Sequence, residues 1–171
     1  HERLSIVDVE HGAQPLYDTK TKRVLAVNGE IYNHKELANK LTKPHDWQTF
    51  SDCEVLLYLY DEFGSDFLND LEGIFAFCLY DPNTKDYFIA RDHIGIVPLY
   101  IGWDKNGVTY VASEMKSIEP YCEKLQEFPP GYYYHKGEFT QWYQPNWAEE
   151  IPAESVSLTA LRKALEDSVH K

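Results

Sequence analysis

The 171 residues have the composition of a folded protein, with 43% hydrophobic, 26% charged and 15% aromatic residues. This content of Tyr, Phe and Trp excludes a disordered chain, and the length suits one domain with a short appendage. Sixteen basic and 28 acidic residues give a net charge of −12, which argues against nucleic acids and anionic membranes as partners. Neither a membrane span nor a signal peptide is predicted.

The spacing of the cysteines and the identity of the first residue further narrow the class of protein. Cys53, Cys78 and Cys122 are widely spaced and form no CxxC pair, so neither a disulfide framework nor a zinc site is predicted. Seven scattered histidines give no metal-binding pattern either, and the reducing cytoplasm is the expected location. Because the chain begins with His1 and its only methionine is Met115, we expect it to be a piece of a longer protein.

Hydrophobic periodicity and turn residues predict the elements along the chain. They are strands at 4–9 and 24–27, helices at 34–41, 55–63 and 66–71, hairpins pairing 74–80 with 87–90, 99–103 with 108–112 and 132–134 with 139–143, a linker at 144–155 and a helix from 158. So many hairpins favour an α+β domain built on antiparallel sheets.

Two of these helices begin at a serine. Ser51 and Glu54 match the capping box, in which the serine oxygen accepts from a helix amide and the glutamate bonds back to the cap. The last helix carries an apolar stripe from Leu158 to Val169 behind Ser157. We expect the packing partner of that stripe to lie outside these residues.

Two segments contain residue types suited to a small polar substrate. Arg3 precedes a predicted strand, where its guanidinium can hold a carboxylate through two hydrogen bonds or can lie on the surface without a role. Asn28 and Gly29 lie between apolar runs, which is typical of a type I′ hairpin turn. The same pair can combine a side-chain amide with an unhindered backbone N–H, as an oxyanion hole requires. Residue chemistry leaves both alternatives open.

A carboxylate and a thiol follow Ser51. The helix dipole explains Asp52, although this carboxylate can equally hold a substrate ammonium group. Cys53 lies in the first turn, where a thiol can become nucleophilic, but the charges of Asp52 and Glu54 oppose that change. A catalytic Cys53 is therefore disfavoured, and Cys78, within an apolar run, is predicted to be a core residue.

A charged loop follows the second strand of the first predicted hairpin. Arg91 and Asp92 open this segment, which also contains Gly95 and Pro98. The simplest interpretation is an ion pair between the two charges that holds a tight loop together.

Nine segments together resemble, in order, the glutaminase domain of glutamine-hydrolysing asparagine synthetases, which are class II glutamine amidotransferases. The segments are HERLSIVD, GAQPL, VNGEIYN, SDCEVLLYLY, LEGIFAFCLYD, ARDHIGIVPLYIG, VASEMK, FPPGYY and LRKALEDSVH. Related amidotransferases share the RD-x-x-G-x-x-PL loop, but SIVD, VNGEIYN and ASEMK together are typical of the asparagine synthetase branch.

The resemblance implies an αββα sandwich, the N-terminal nucleophile fold, in which two antiparallel sheets lie between helical layers. It also implies that this α+β sandwich is incomplete at its N-terminus. Residues 1–150 would form a partial glutaminase domain, and residues 151–171 would form a linker and the first helix of a truncated synthetase domain.

The implied site consists of two oxyanion donors, Asn28 and Gly29, and the substrate-binding residues Arg3, Leu4, Val7, Glu30 and Asp52. Arg3 would hold the α-carboxylate of glutamine, while Glu30 and Asp52 would neutralise its α-ammonium group. The Asn28 amide and the Gly29 N–H would stabilise the tetrahedral oxyanion, and backbone around residues 4–7 would line the pocket.

The nucleophile of this family is a cysteine at the mature N-terminus, whose α-amine serves as the base. None of the three internal cysteines matches it, so the nucleophile is expected upstream of His1 and the fragment alone is expected to be inactive. L-Glutamine is the expected partner and no cofactor is expected in this chain, while ATP, Mg²⁺ and aspartate would bind the synthetase domain. A homodimer is left open. The alternatives are a non-catalytic glutamine-binding module and the glutaminase domain of another class II amidotransferase.

Overall fold

A computed structural model describes residues 7–8, 10–149 and 157–170 of the chain. These residues form two antiparallel sheets and three α-helices. In chain order the elements are β1 (Leu16–Tyr17), β2 (Val24–Ile31), α1 (His34–Lys40), α2 (Val55–Phe63), β3 (Gly73–Asp81), β4 (Asp86–Arg91), β5 (Tyr100–Trp103), β6 (Thr109–Ala112), β7 (Lys124–Glu127), β8 (Tyr132–His135), β9 (Glu138–Gln141) and α3 (Leu158–Val169). The large sheet has the order β1-β2-β3-β4-β8-β9, and the small sheet has the order β6-β5-β7.

The central strand β3 is buried on both faces, which explains its near-continuous apolar sequence. Because side chains alternate along a strand, Phe75 and Phe77 face the helices while Ala76 and Cys78 face the small sheet. The first core lies between the large sheet and α1 and α2, and the second lies between the two sheets. The molecule is therefore layered as helices, large sheet and small sheet, which confirms the α+β class with two antiparallel sheets.

The helix α3 differs from the other two because it buries none of its side chains. Ser157 caps it as predicted, its Oγ accepting from the Ala160 N–H at 3.2 Å. The apolar stripe is exposed, from Leu158 at 76% to Val169 at 84%. The described residues thus contain one packed helical layer. No helix among them is long and apolar enough to span a bilayer.

The three predicted hairpins are confirmed, with small shifts at their ends. The last strand ends at Gln141, two residues earlier than predicted, because the N–H groups of Trp142 and Tyr143 both turn to the Gly131 carbonyl. The strands β1 and β7 were not predicted, since β1 has only two residues and β7 is a largely exposed, polar edge strand. Of the strand predicted at 4–9, only Val7 and Asp8 are described, and neither is in a strand.

Candidate functional site

Asn28 and Gly29 lie within β2, so the interpretation of this pair as a hairpin turn is wrong. They are opposite Ala76 and Phe75 of β3. The chain stays extended here because Val27 and Ile31 on either side are both buried against the helices. Gly29 has a φ of 141°, and a Cβ at this position would lie 2.0 Å from the Ile74 carbonyl oxygen. Only glycine fits this close approach of two strands.

The register of β2 and β3 fixes the direction of the Gly29 peptide. Phe75 directs its backbone toward β4, since its N–H donates to Asp92 Oδ2 at 3.3 Å and its carbonyl accepts from the Asp92 N–H at 2.8 Å. Opposite residues alternate between hydrogen-bonded and non-bonded pairs, so Gly29, opposite Phe75, directs its N–H away from β3. We call this side of Gly29–Ile31, with Asp52 and Cys53, the β2 edge.

On the side of the β2 edge, the described residues pair with the β2 backbone as a strand does only as far as Val27. Among the described residues, strand pairing on this side ends where β1 meets Val24 and Leu25. The Gln14 side chain then pairs with Val27 like a further strand residue, its Nε2 donating to the Val27 carbonyl at 2.8 Å and its Oε1 accepting from the Val27 N–H at 2.7 Å. The motif GAQPL was the only sequence signal for this contact, which periodicity could not predict.

Asp52 comes to the β2 edge from the 3₁₀ turn Asp52–Glu54 that precedes α2. Its Oδ2 accepts from the Ile31 N–H at 2.7 Å, and the side chain is buried. The Cys53 Sγ is 3.5 Å from Asp52 Oδ2 and 3.7 Å from the Gly29 carbonyl oxygen. Asp52 and Cys53 together thus contact the peptide units on both sides of Glu30.

Glu30 carries an unusual carboxylate. Its Oε1 is buried and has no hydrogen-bond partner in the part of the chain that the structure describes. Glu30 is two residues from Asn28, so the two side chains share one face of β2, about 7 Å apart along the strand. A buried carboxylate oxygen without a donor is costly, and a bound cation or N–H group would remove that cost.

The N-terminal part of the predicted site is described only at Val7, because Arg3 and Leu4 lie outside the described residues. Asp8, next to Val7, accepts from the Phe50 N–H at 2.8 Å, and this bond lowers the pKa of the Asp8 carboxyl. Since Phe50 is two residues before Asp52, the Asp8 contact brings the chain at Val7 toward the segment that carries Asp52.

The predicted capping box is only half formed. The Ser51 Oγ accepts from the Cys53 N–H at 3.3 Å, but Glu54 does not bond back to Ser51. Its buried carboxylate instead accepts from the Gln48 and Thr49 N–H groups, each at 2.7 Å. The Tyr58 hydroxyl donates to the same carboxylate at 2.9 Å. Burial explains the difference, because a carboxylate that is 1% exposed needs every donor that the loop at 42–50 supplies.

The charged loop at 91–98 also differs from its interpretation, because Arg91 and Asp92 form no ion pair with each other. Arg91 donates to the carbonyls of Gly95, Val97 and Phe128 at 2.6–2.8 Å and to the Glu127 carboxylate at 2.7 Å. The Asp92 carboxylate accepts from five backbone N–H groups, those of Phe75, Ile94, Gly95, Ile96 and Val97. Both side chains are buried and act through the backbone.

The two cysteines in the core do not supply an accessible nucleophile. Cys53 is 3% exposed, and burial raises the pKa of Cys78 to about 12. Among the described residues no group of His, Cys, Asp and Glu side chains could hold a metal ion. The chemistry of the β2 edge is therefore that of hydrogen-bond donors and carboxylates.

Comparison with known families matches residues 1–135 to the glutamine amidotransferase domain. The chain belongs to this family. Asparagine synthetase B [glutamine-hydrolyzing] of Escherichia coli (strain K12) is 51% identical over 173 residues, which cover 99% of the chain and 31% of that protein. Asparagine synthetase [glutamine-hydrolyzing] 1 of Arabidopsis thaliana is 45% identical, over 100% of the chain and 30% of its own length. This amidotransferase chain thus spans about 30% of the length of these curated relatives.

Solved structures confirm the fold of the amidotransferase domain. The glutamine phosphoribosylpyrophosphate amidotransferase from B. subtilis, complexed with ADP and GMP, has a TM-score of 0.64 and 27% identity. The match covers 77% of the chain and 32% of that structure. The allosteric regulatory enzyme of purine biosynthesis has a TM-score of 0.65 over 79% of the chain and 32% of its own, also at 27% identity. The predicted homology to the glutamine-hydrolysing domain of asparagine synthetases is confirmed.

Proposed function

We propose that this domain hydrolyses glutamine to glutamate and ammonia, and that the whole protein uses the ammonia for ATP-dependent conversion of aspartate to asparagine. The observation that carries the proposal is the buried Glu30 Oε1, which has no hydrogen-bond partner in the described part of the chain. Glu30 lies on the same strand as Asn28 and Gly29, and the next N–H along that strand donates to Asp52. The acceptor chemistry is supported by 45–51% identity to asparagine synthetases over 99–100% of the chain, against 27% identity to the glutamine phosphoribosylpyrophosphate amidotransferase.

The carboxylates Glu30 and Asp52 suit the α-ammonium group of glutamine. A bound ammonium would donate to Glu30 Oε1, and the second charge would come from Asp52, which the Ile31 N–H already orients. Arg3 would take the α-carboxylate, and backbone at Leu4 and Val7 would line the pocket. Charge-assisted hydrogen bonds to both the α-ammonium and the α-carboxylate group would select an amino acid over a simple amide.

The donors Asn28 and Gly29 suit the acyl-transfer step. When a thiolate attacks the side-chain amide carbon, the C=O π electrons move to oxygen, and the Asn28 amide and Gly29 N–H stabilise that oxyanion. The oxyanion collapses with cleavage of the C–N bond, and the nitrogen leaves as ammonia after it takes a proton. Water then attacks the thioester through a second oxyanion, releasing glutamate and the thiol.

The remaining parts of the reaction are assigned to other parts of the protein. We infer that the nucleophile is an N-terminal cysteine from outside these 171 residues, so that the fragment alone is inactive. ATP, Mg²⁺ and aspartate would bind in a further domain, which is supported by relatives of which this chain spans about 30%. The cytoplasm would supply these substrates.

The decisive experiment measures glutamate release by the full-length protein, with Glu30→Gln as the variant. We expect Glu30→Gln to raise the KM for glutamine by roughly 10- to 100-fold, the range for loss of one hydrogen bond to a charged group. Ammonia-dependent asparagine formation should persist. Glu36→Gln, an exposed change on α1, is the matched control and should leave both activities unchanged.

Three outcomes would contradict parts of the proposal. If the wild-type protein binds glutamine without releasing glutamate, the domain is a non-catalytic binding module. If it releases glutamate but forms no asparagine from aspartate and ATP, it serves another acceptor. Equal loss of glutamine- and ammonia-dependent activity in Glu30→Gln would show that Glu30 is structural.

A further inference from the structure

One peptide unit connects the two carboxylates assigned to the substrate ammonium group. The peptide between Glu30 and Ile31 begins at the Cα that carries the Glu30 side chain, and its N–H donates to Asp52 Oδ2 at 2.7 Å. Its carbonyl points the other way, toward β3, since Glu30 pairs with Ile74. A displacement of this single peptide therefore moves both carboxylates.

Gly73, at the start of β3, lies directly against this peptide. It is opposite Ile31 in the register, and a Cβ at this position would be 2.2 Å from the Glu30 carbonyl oxygen and 3.2 Å from the Ile31 Cα. Gly73 has no positive φ, so its own backbone conformation would allow an alanine, but the neighbouring peptide would have to shift to make room for the methyl group.

The start of β3 is fixed in place by its neighbours. The Tyr32 N–H donates to the Glu72 carbonyl at 2.8 Å, and the Glu72 N–H donates to Asn33 Oδ1 at 3.1 Å. The Asn33 Nδ2 also donates to the Asp70 carbonyl at 2.8 Å. Because these bonds hold β3, an added methyl group at Gly73 would push the Glu30–Ile31 peptide toward Asp52.

We propose that Gly73 is a positioning residue that sets the distance of Glu30 and Asp52 from the substrate ammonium group. Its missing side chain lets β3 approach the Glu30–Ile31 peptide and fixes that peptide between the strand and the Asp52 carboxylate. This inference rests on the proposed function and adds a determinant of substrate selectivity to it. Misplacement of a binding group by about 1 Å can cost up to 100-fold in rate.

The test compares two substrates of the full-length protein. Glutaramate is glutamine without the α-amine, so it has no group for Glu30 and Asp52 to bind. We expect Gly73→Ala to lower the ratio of kcat/KM for glutamine to kcat/KM for glutaramate by roughly 10-fold or more. The glutaramate value itself should change little, because the oxyanion donors and the nucleophile are not displaced.

Gly102→Ala is the matched control. Gly102 lies in β5 of the small sheet, also without a positive φ, and a Cβ there would be 2.5 Å from the Cys122 Sγ and 2.8 Å from the Lys124 carbonyl oxygen. This variant adds the same methyl group to a similarly crowded strand. It should be destabilised to a similar degree and should keep the wild-type substrate ratio.

A second variant covers the case in which Gly73→Ala does not fold. Asn33→Ala adds no atom, removes two bonds at the protein surface and releases the start of β3, so we expect about a 3-fold fall in the same ratio. An unchanged ratio in Asn33→Ala and in any folded Gly73→Ala protein overturns the positioning role, as does an equal loss for both substrates. A wild-type protein that releases no glutamate overturns the proposed function instead.

Discussion

The β2 edge and the loop at 91–98 both contain charged side chains with buried atoms, but the hydrogen-bond partners of these side chains differ. In the loop, Arg91 and Asp92 are buried. Arg91 donates hydrogen bonds to backbone carbonyls, and Asp92 accepts hydrogen bonds from backbone N–H groups. At the β2 edge, Glu30 Oε1 is buried and has no hydrogen-bond partner among the described residues, and the Gly29 N–H faces away from β3.

The difference distinguishes charges with a structural role from the carboxylate that we propose binds the substrate ammonium group. A buried ion whose every donor or acceptor is occupied by backbone stabilises the conformation of its own loop. A buried carboxylate oxygen without a donor destabilises the free protein and gains a partner only when a ligand binds. Residue type does not distinguish the two cases, whereas the hydrogen-bond partners do.

The largest expected effect is on the loop. Arg91→Ala would leave the buried carbonyls of Gly95, Val97 and Phe128 without their donor, and we expect it to lower the free energy of unfolding by about 3–5 kcal/mol. Urea unfolding followed by circular dichroism measures this loss. Arg162→Ala, an exposed change on α3, should stay within about 0.5 kcal/mol of wild type. A similar small effect for Arg91→Ala would contradict the structural assignment of this loop.

The opposite sign is expected at the β2 edge. Glu30→Gln replaces a carboxylate whose Oε1 has no partner within the described ranges, so the free energy of unfolding without glutamine should be unchanged or should rise by about 1 kcal/mol. The same variant should lose most of the stabilisation that saturating glutamine gives the wild-type protein. Thermal unfolding with and without glutamine tests both statements. A clear loss of stability in the free variant would mean that Glu30 has a structural partner.

The smallest expected effect is on the pH dependence of the free energy of unfolding, and it involves the carboxylate of Glu62. Burial raises the pKa of Glu62, but hydrogen bonds from Thr42, Lys43 and His45 outweigh burial and lower the pKa to about 2. A carboxyl with a lowered folded-state pKa stabilises the protein above its unfolded value of 4.5, and this contribution is lost as the pH falls toward about 2. Urea unfolding from pH 6 to pH 3 should show a shallower decline in Glu62→Gln than in wild type. Identical pH profiles would exclude Glu62 as a source of acid sensitivity.

The sequence predicted most of the elements because their apolar periods are clear. The helix after Ser51 and the hairpins were found from spacing and turn residues, whereas β1 was too short and β7 too polar to detect. Asn28 and Gly29 showed the limit of local signals, because the dipeptide that most often makes a turn lies here in a buried strand. Only the packing of Val27 and Ile31 against the helices settles the conformation.

The candidate site was predicted from the family resemblance more than from local chemistry. The described structure brings together Asn28, Gly29, Glu30 and Asp52, while Arg3 and Leu4 lie outside the described residues. The contacts of Gln14 with Val27 and of Gly73 with the Glu30 peptide were not predicted, since each joins residues far apart in the chain.

The sequence alone determined the family of the protein and its net negative charge, and it predicted the residue types of the candidate site. It could do so because composition, period and motif are local properties of the chain. Only the tertiary structure showed which charged side chains have backbone partners and which peptide joins Glu30 to Asp52. It also showed how closely that peptide approaches Gly73. These properties depend on distances between segments that only the pairing of β2 with β3 brings together.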